Sequence, residues 1–385
     1  MKFATAAIHA GQEKEAKTGA VIPPIFQNST YAQKGPGEHT GYEYGRTQNP
    51  TREAMEKNVA ALESGTHGFA FGSGLAAIST VAQLFQAGDH IIATENVYGG
   101  TYRFFTKVME KFGLKFSWVD TSDLQHIKNA ITPNTKMIFV ETPTNPMLVL
   151  SDLAAIADLC REENILLTVD NTFLSPYFQR PLELGADIVL HSTTKYLNGH
   201  SDVIGGVIVV KNDELAQKIG FLQNAVGAVP SPFDAWLVLR SLKTLPLRMK
   251  AHAENAIKIA EFLQGHPAFH TVSYPDLPSH PQFALAQKQH KSPGGSIGSG
   301  GMVTCITESF DKAQAILRKL KVFTLAESLG GVESLVCHPA SMTHASVPPA
   351  MREKIGLSDA LIRFSVGVED ADDLIKDIEQ ALEGV

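Results

Sequence analysis

Long apolar runs are missing from this 385-residue chain, and no stretch approaches the ~20 residues needed to cross a bilayer. Residues 1–12 lack the cationic and apolar blocks of a secretory signal, so the expected location is the cytoplasm, with no membrane partner. Cysteine is scarce. Cys160, Cys305 and Cys337 stand far apart without paired or metal-ligand spacing, which excludes a disulfide framework and fits a reducing compartment. Basic blocks are absent too: a net charge of -7, spread along the chain, leaves no footprint for nucleic acid or an anionic membrane surface. The 14 histidines include no His-Glu-x-x-His pattern, so no catalytic metal is expected. No internal repeat is present. The partners left are small molecules and other copies of the chain.

What is there is a rhythm of helices and strands. At this length one core stops growing, so one large and one small domain are expected. Polar residues with Pro and Gly dominate up to about residue 49, and this first segment reads as an irregular arm. The boundaries drawn are 1–48 for the arm, 49–245 for a large domain and 246–385 for a small one. Within 49–245, helical periodicity over 51–62 and 75–85 alternates with apolar strands at 90–94, 136–140, 165–169, 186–190 and 207–210. This alternation predicts an α/β fold with a mostly parallel sheet covered on both faces. After Pro246 come a long helix over 247–263, turns at Tyr274-Pro275, a strand-like run at 301–306 and a helix over 310–320. A closing helix comes last, in which Leu374, Ile375, Ile378, Ala381 and Leu382 repeat at helical spacing. The second region reads as a smaller α+β domain. Residues 292–301, rich in Gly and Ser, read as the one flexible tract.

Lys195 carries the first chemical signal. It comes after the apolar run 186–190 and the hydroxyl cluster Ser192-Thr193-Thr194. In open α/β sheets ligands gather beyond the carboxyl ends of such strands, which suggests a Schiff-base lysine, the alternative being a surface cation in a strand-to-helix loop. Asp170 ends the apolar run 165–169 one strand earlier, so both side chains would project from the same sheet edge. A lysine and a carboxylate facing one cleft suit pyridoxal phosphate: the amine holds the aldehyde, and the carboxylate keeps the ring nitrogen protonated. Phe71-Gly72-Ser73-Gly74-Leu75-Ala76-Ala77, before a helical run, is a candidate phosphate loop. With Glu95 downstream it also fits a dinucleotide fingerprint. That rival stays open, although no long apolar strand is read ahead of the loop. Ser192 and Thr194 could complete a phosphate cradle or simply cap the next segment. Tyr98 could lay its ring on a planar cofactor or merely pack. Arg363, among apolar neighbours on a short strand, needs a carboxylate partner, either a substrate or an internal salt bridge.

Ordered motifs connect these signals. Tyr44-Gly45-Arg46 with Asn49-Pro50-Thr51-Arg52, the loop at 72–77, Glu141-Thr142-Pro143-Thr144-Asn145-Pro146 and Val169-Asp170-Asn171-Thr172-Phe173 occur in sequence. The run 192–199 and Leu325-Ala326-Glu327-Ser328-Leu329-Gly330-Gly331 complete the set. Together they resemble the Cys/Met-metabolism pyridoxal phosphate enzymes, and the resemblance extends from about residue 4 to 382. It implies a fold type I enzyme with a mostly parallel seven-stranded sheet, assembled as a homotetramer of tight dimers. Lys195 matches the Schiff-base lysine and Asp170 the ring-nitrogen partner. Ser73, Gly74, Leu75, Ser192 and Thr194 match phosphate-binding positions. Tyr44 and Arg46 match the pair that reaches the neighbouring subunit's phosphate. Tyr98 matches the stacking ring, and Asn145, Ser328 and Arg363 match substrate-carboxylate and ring-oxygen contacts. Tyr98 and Tyr44 are candidates for assisting proton transfer beside Lys195. Phe26, Thr30 and Glu327 are candidates for the distal substrate pocket. Gly100 stands where methionine γ-lyases carry a characteristic cysteine. The run 327–335, with Met342-Thr343-His344-Ala345-Ser346, looks like the branch that works at the γ-carbon. The expected reaction is α,γ-elimination of cystathionine to cysteine, 2-oxobutyrate and ammonia. The rival is γ-replacement on an activated homoserine ester.

Overall fold

In this computed structural model, which describes residues 1–345 and 349–384, the apolar runs become strands buried on both faces. β1 His67–Phe71, β2 His90–Thr94, β3 Lys115–Val119, β4 Thr135–Glu141, β5 Leu166–Asp170, β6 Ile188–Ser192 and β7 Gly206–Val210 form one sheet. Their order is β1-β7-β6-β5-β4-β2-β3. β2 through β6 run parallel, and β7 is antiparallel to both of its neighbours. Side-chain alternation builds a core on each face. Leu167, Val169 and Val189 join Val59 and Ile156 on one side. Phe139, Ile188 and Leu190 join Phe105 and Ile219 on the other.

A second sheet has the order β10-β11-β12-β9-β8. Its strands are β8 Phe269–Ser273, β9 Met302–Thr307, β10 Thr324–Leu325, β11 Leu335–Cys337 and β12 Leu361–Ser365. Its core includes Ile316, Phe364, Leu374 and Ile378. The helix Leu245–Gly265 links the two sheets. Leu245 and Met249 pack in the first core, and Ile259 and Leu263 in the second. Each fully buried aliphatic side chain contributes about 1.5–3 kcal/mol, so this helix couples the two sheets strongly.

Three sequence expectations need correction. The arm is not wholly irregular, because Phe3–His9 is a helix. Asn58 Nδ2 holds it by donating to the carbonyls of Ala6 and Ala10 at 3.1 and 2.8 Å. A strand, β1, does precede the loop at 72–77, so the absence of one cannot count against a dinucleotide fold. The topology does. That fold needs the strand before its loop inside a parallel βαβ unit, whereas β1 lies at the sheet edge, pairs antiparallel to β7 and is remote from β2. Finally, the tract 292–301 is tied down: Ser299 Oγ donates to Asp276 Oδ1 at 2.8 Å and lies 2.8 Å from His290 Nδ1. Among the described residues no helix is long and apolar enough to cross a membrane.

Candidate active site

Parallel pairing brings the carboxyl ends of β4, β5 and β6 to one edge, and a cavity of about 300 Å³ opens there. Glu141 and Asp170 form its floor, directly opposed in the register of β4 and β5, and both are buried. Thr172 donates twice to Asp170 Oδ1, from its amide at 3.0 Å and its hydroxyl at 2.6 Å. Burial pushes the Glu141 carboxyl well above the usual range and the Asp170 charge pushes it further, opposed by the amides of Tyr98 and Asn145. Burial raises Asp170 as well, opposed by the two Thr172 donors. Adjacent buried carboxyls do not both ionise. The short Thr172 hydroxyl bond favours the charge on Asp170.

Lys195 sits in the turn after β6, and its Nζ donates to Ser328 Oγ at 2.7 Å. Burial, reinforced by the nearby Arg363 charge and opposed by Glu327, pushes its ammonium down to about 8. Ser328 holds its place at φ +90°, a left-handed conformation uncommon for a residue with a Cβ.

A third wall suits an anion. Ser73 caps the helix Gly74–Ala82 by accepting from the Ala76 amide at 3.0 Å. The first amides of that helix have no intrahelical partner and form the positive end of its dipole. A Cβ on Gly74 would lie 2.9 Å from Ser192 Cβ, so glycine is what lets the loop close onto β6. Ser73, Gly74, Leu75, Ser192 and Thr194 all line the cavity here. Thr194 Oγ1 accepts from the Gly205 amide at 3.0 Å, which orients it.

Opposite stands Arg363, 2 % exposed on β12. Its Nη1 donates to Asn145 Oδ1 at 2.8 Å and its Nη2 to the Ser328 carbonyl at 2.9 Å, while Nε has no partner among the described residues. No internal salt bridge is found for it among the described residues. A buried guanidinium without a counter-ion is costly, and this one is placed to receive a carboxylate. Tyr98 and Glu327 also line the cavity. Tyr98 lies just before the helix Gly99–Lys107, and a Cβ at position 100 would collide with its ring.

Tyr44 and Arg46 do not join this cavity. Both are exposed on the arm, with the Arg46 guanidinium carbon 5.6 Å from the Tyr44 ring centroid. Phe26 and Thr30 also lie on the arm, Thr30 bridging to Tyr44. Among the polar residues of the site, Glu141 and Thr172 have no role legible in the sequence. Both flank strand ends that the apolar pattern marks, which is the available signal. Ser346 lies outside the described residues, but its neighbour His344 donates from Nε2 to the Asn145 carbonyl at 3.0 Å.

Comparison with known proteins gives a consistent result. The model of the family described as "Cys/Met metabolism PLP-dependent enzyme" matches residues 4–383. The chain is 53% identical over 385 residues to a cystathionine gamma-lyase of Bacillus subtilis (strain 168), covering 100% of both. It is 54% identical over 380 residues to a cystathionine beta-lyase of Coxiella burnetii, covering 98% of this chain and 97% of that one. A crystal structure of cystathionine gamma-lyase from Lactobacillus plantarum, complexed with L-serine, superposes with a TM-score of 0.97 at 50% identity, covering 100% of this chain and 99% of that one.

Proposed function

The chain belongs to the Cys/Met metabolism PLP-dependent enzymes, and we propose that within this family it is a cystathionine γ-lyase, cleaving L-cystathionine to L-cysteine, 2-oxobutyrate and ammonia. The observation that carries the active-site reading is Lys195 Nζ, depressed to about 8 and held 2.7 Å from Ser328 Oγ between the Asp170 floor and Arg363. Full-length similarity to γ-lyases of bacterial and mammalian origin supports the choice of bond.

The residues present fit pyridoxal phosphate. The helix start at Gly74 and the hydroxyls of Ser73, Ser192 and Thr194 would hold its phosphate, and Asp170 its ring nitrogen. Tyr98 would cover one ring face. Bound pyridoxal phosphate supplies a protonated ring that accepts an electron pair from the substrate's α-carbon. Lys195 would hold the cofactor covalently at rest. As a free amine it would take the substrate's α-proton, hand that proton on to the cofactor, and so be free to take a proton from the β-carbon, so that the γ-sulfur can depart. The sulfur would leave with its bonding pair and gain a proton from the Tyr98 hydroxyl, or from a Tyr44 hydroxyl supplied by the arm of a neighbouring subunit, giving the cysteine thiol. Arg363 and Asn145 hold the substrate carboxylate, Ser328 steadies Lys195, and Glu327 faces the distal amino acid.

Tyr44 and Arg46, remote from their own cavity, are assigned to the phosphate of the neighbouring subunit. The arm, residues 1–48, then serves a homotetramer of tight dimers, with 49–245 as cofactor domain and 246–385 as small domain. The assembly is placed in the cytoplasm. A second reading, β-elimination to homocysteine, pyruvate and ammonia, is favoured by the 54% identical β-lyase. Incubating the purified enzyme with cystathionine and identifying the oxo acid separates the two. 2-Oxobutyrate supports the proposal, and pyruvate overturns it. A parallel assay with an activated homoserine ester and cysteine tests γ-replacement, and faster condensation than elimination would make the enzyme a γ-synthase.

The depressed Lys195 also sets a pH dependence for cofactor capture. Below about 8 the amine carries a proton and has no lone pair; above it the amine is free to attack. Incorporation of pyridoxal phosphate into cofactor-free protein should accelerate roughly fivefold from about pH 7 to about pH 8, then level off above about pH 9. An unperturbed lysine would show no such plateau, and stopped-flow absorbance reads the difference.

A further inference from the structure

Glu141 is a buried carboxyl that the reaction leaves without a task, yet it touches the site's other parts. It ends β4, faces Asp170 across the register and accepts at Oε2 from the Tyr98 amide at 2.8 Å. The Asn145 amide also faces it. Among the described residues no cation pairs with it, although it is only 5% exposed. An ionised carboxylate so placed would be expensive, and it would compete with Asp170 for any positive charge brought to the floor. A neutral carboxyl has neither defect and still offers oxygens to backbone donors.

We infer that Glu141 is a positioning residue: a neutral carboxylic acid that fixes the backbone of Tyr98 beside the Asp170 carboxylate, leaving Asp170 as the one charged group on the floor. The inference rests on the reading of Asp170 and Tyr98 as cofactor contacts and goes beyond it. Through one side chain, the floor of the cavity sets the height of its covering ring. Burial and the Asp170 charge both keep the Glu141 proton in place, in agreement with the geometry.

The test compares Glu141→Gln with Glu141→Ala in the cofactor-loaded enzyme. Glutamine keeps an acceptor oxygen for the Tyr98 amide and carries no charge; alanine keeps neither oxygen. Freeing Tyr98 should lower kcat about 10- to 100-fold in Glu141→Ala, with a smaller change in KM, because misplacement of about 1 Å near a reacting centre has that effect. The visible circular dichroism of the bound cofactor should weaken, reporting a ring no longer held in one orientation. Glu141→Gln should restore both to within about threefold of the wild type. A glutamine variant as impaired as the alanine one would show that the charge is needed and overturn the inference, as would an alanine variant with unchanged kcat and dichroism. If Glu141→Ala does not fold, Glu141→Gln decides alone: near-wild-type values support the neutral acid, and a loss above about tenfold rejects it. Failure of the underlying site reading would look different, since Lys195→Ala would then leave the visible band in place whatever the Glu141 variants do.

Discussion

Lys195→Ala should lower turnover of cystathionine by at least about 10³-fold, because in the proposed site one group supplies both the cofactor attachment and the mobile base. Among the described residues no other lysine lines the cavity, and Arg363 is already committed to Asn145 and the Ser328 carbonyl. Nothing nearby can substitute. The loss should fall on kcat, since Arg363 and Asn145, the proposed carboxylate contacts, keep their own bond to each other. Far-UV circular dichroism should be unchanged: Lys195 Nζ makes a single side-chain bond, to Ser328, and the turn that carries it is closed by backbone bonds from Lys195 N to the Ser192 carbonyl and from Gly199 N to the Lys195 carbonyl. The visible band of the attached cofactor should disappear. Turnover within about tenfold of the wild type would remove Lys195 from the chemistry.

How far the fold can be read from the sequence depends on how deeply each strand is buried. β2, β4, β5, β6 and β7 are central, covered on both faces, and announce themselves as apolar runs. β1 and β3 do not. They are the two edges of the sheet and are only partly buried, so His67-Gly68 and Lys115 break the apolar pattern. β8 is hidden for the same reason at the edge of the second sheet. Site residues divide similarly. Lys195 and Asp170 are visible because each lies at the end of a buried strand or just beyond it. Arg363 comes from the second sheet and Ser328 from the loop between its strands β10 and β11, and no local pattern says that β12 delivers a guanidinium to Asn145, 218 residues away in sequence. Glu141 has meaning only once the register sets it opposite Asp170. Before that, a glutamate ending a strand looks like any other solvated end.

Arg363→Ala should reduce kcat/KM for cystathionine by about 10² to 10³-fold, mostly through KM, because the substrate carboxylate loses a buried charge-assisted partner. Arg363→Lys should recover little. Two guanidinium nitrogens are committed to Asn145 Oδ1 and the Ser328 carbonyl, and a single ammonium cannot keep both while also meeting a planar carboxylate. The visible band should survive in both variants, which separates this loss from that of Lys195→Ala. Discrimination against an analogue lacking the carboxylate should shrink by the same factor, since only the full substrate used the arginine. A second signature comes from charge. Arg363 is one cause of the depressed Lys195 ammonium, so its removal lets that group rise above about 8. The pH midpoint for cofactor capture should therefore move upward in Arg363→Ala and stay nearer its original position in Arg363→Lys, which keeps a positive charge. Unchanged KM together with an unchanged midpoint would mean that Arg363 neither receives the substrate nor tunes the lysine.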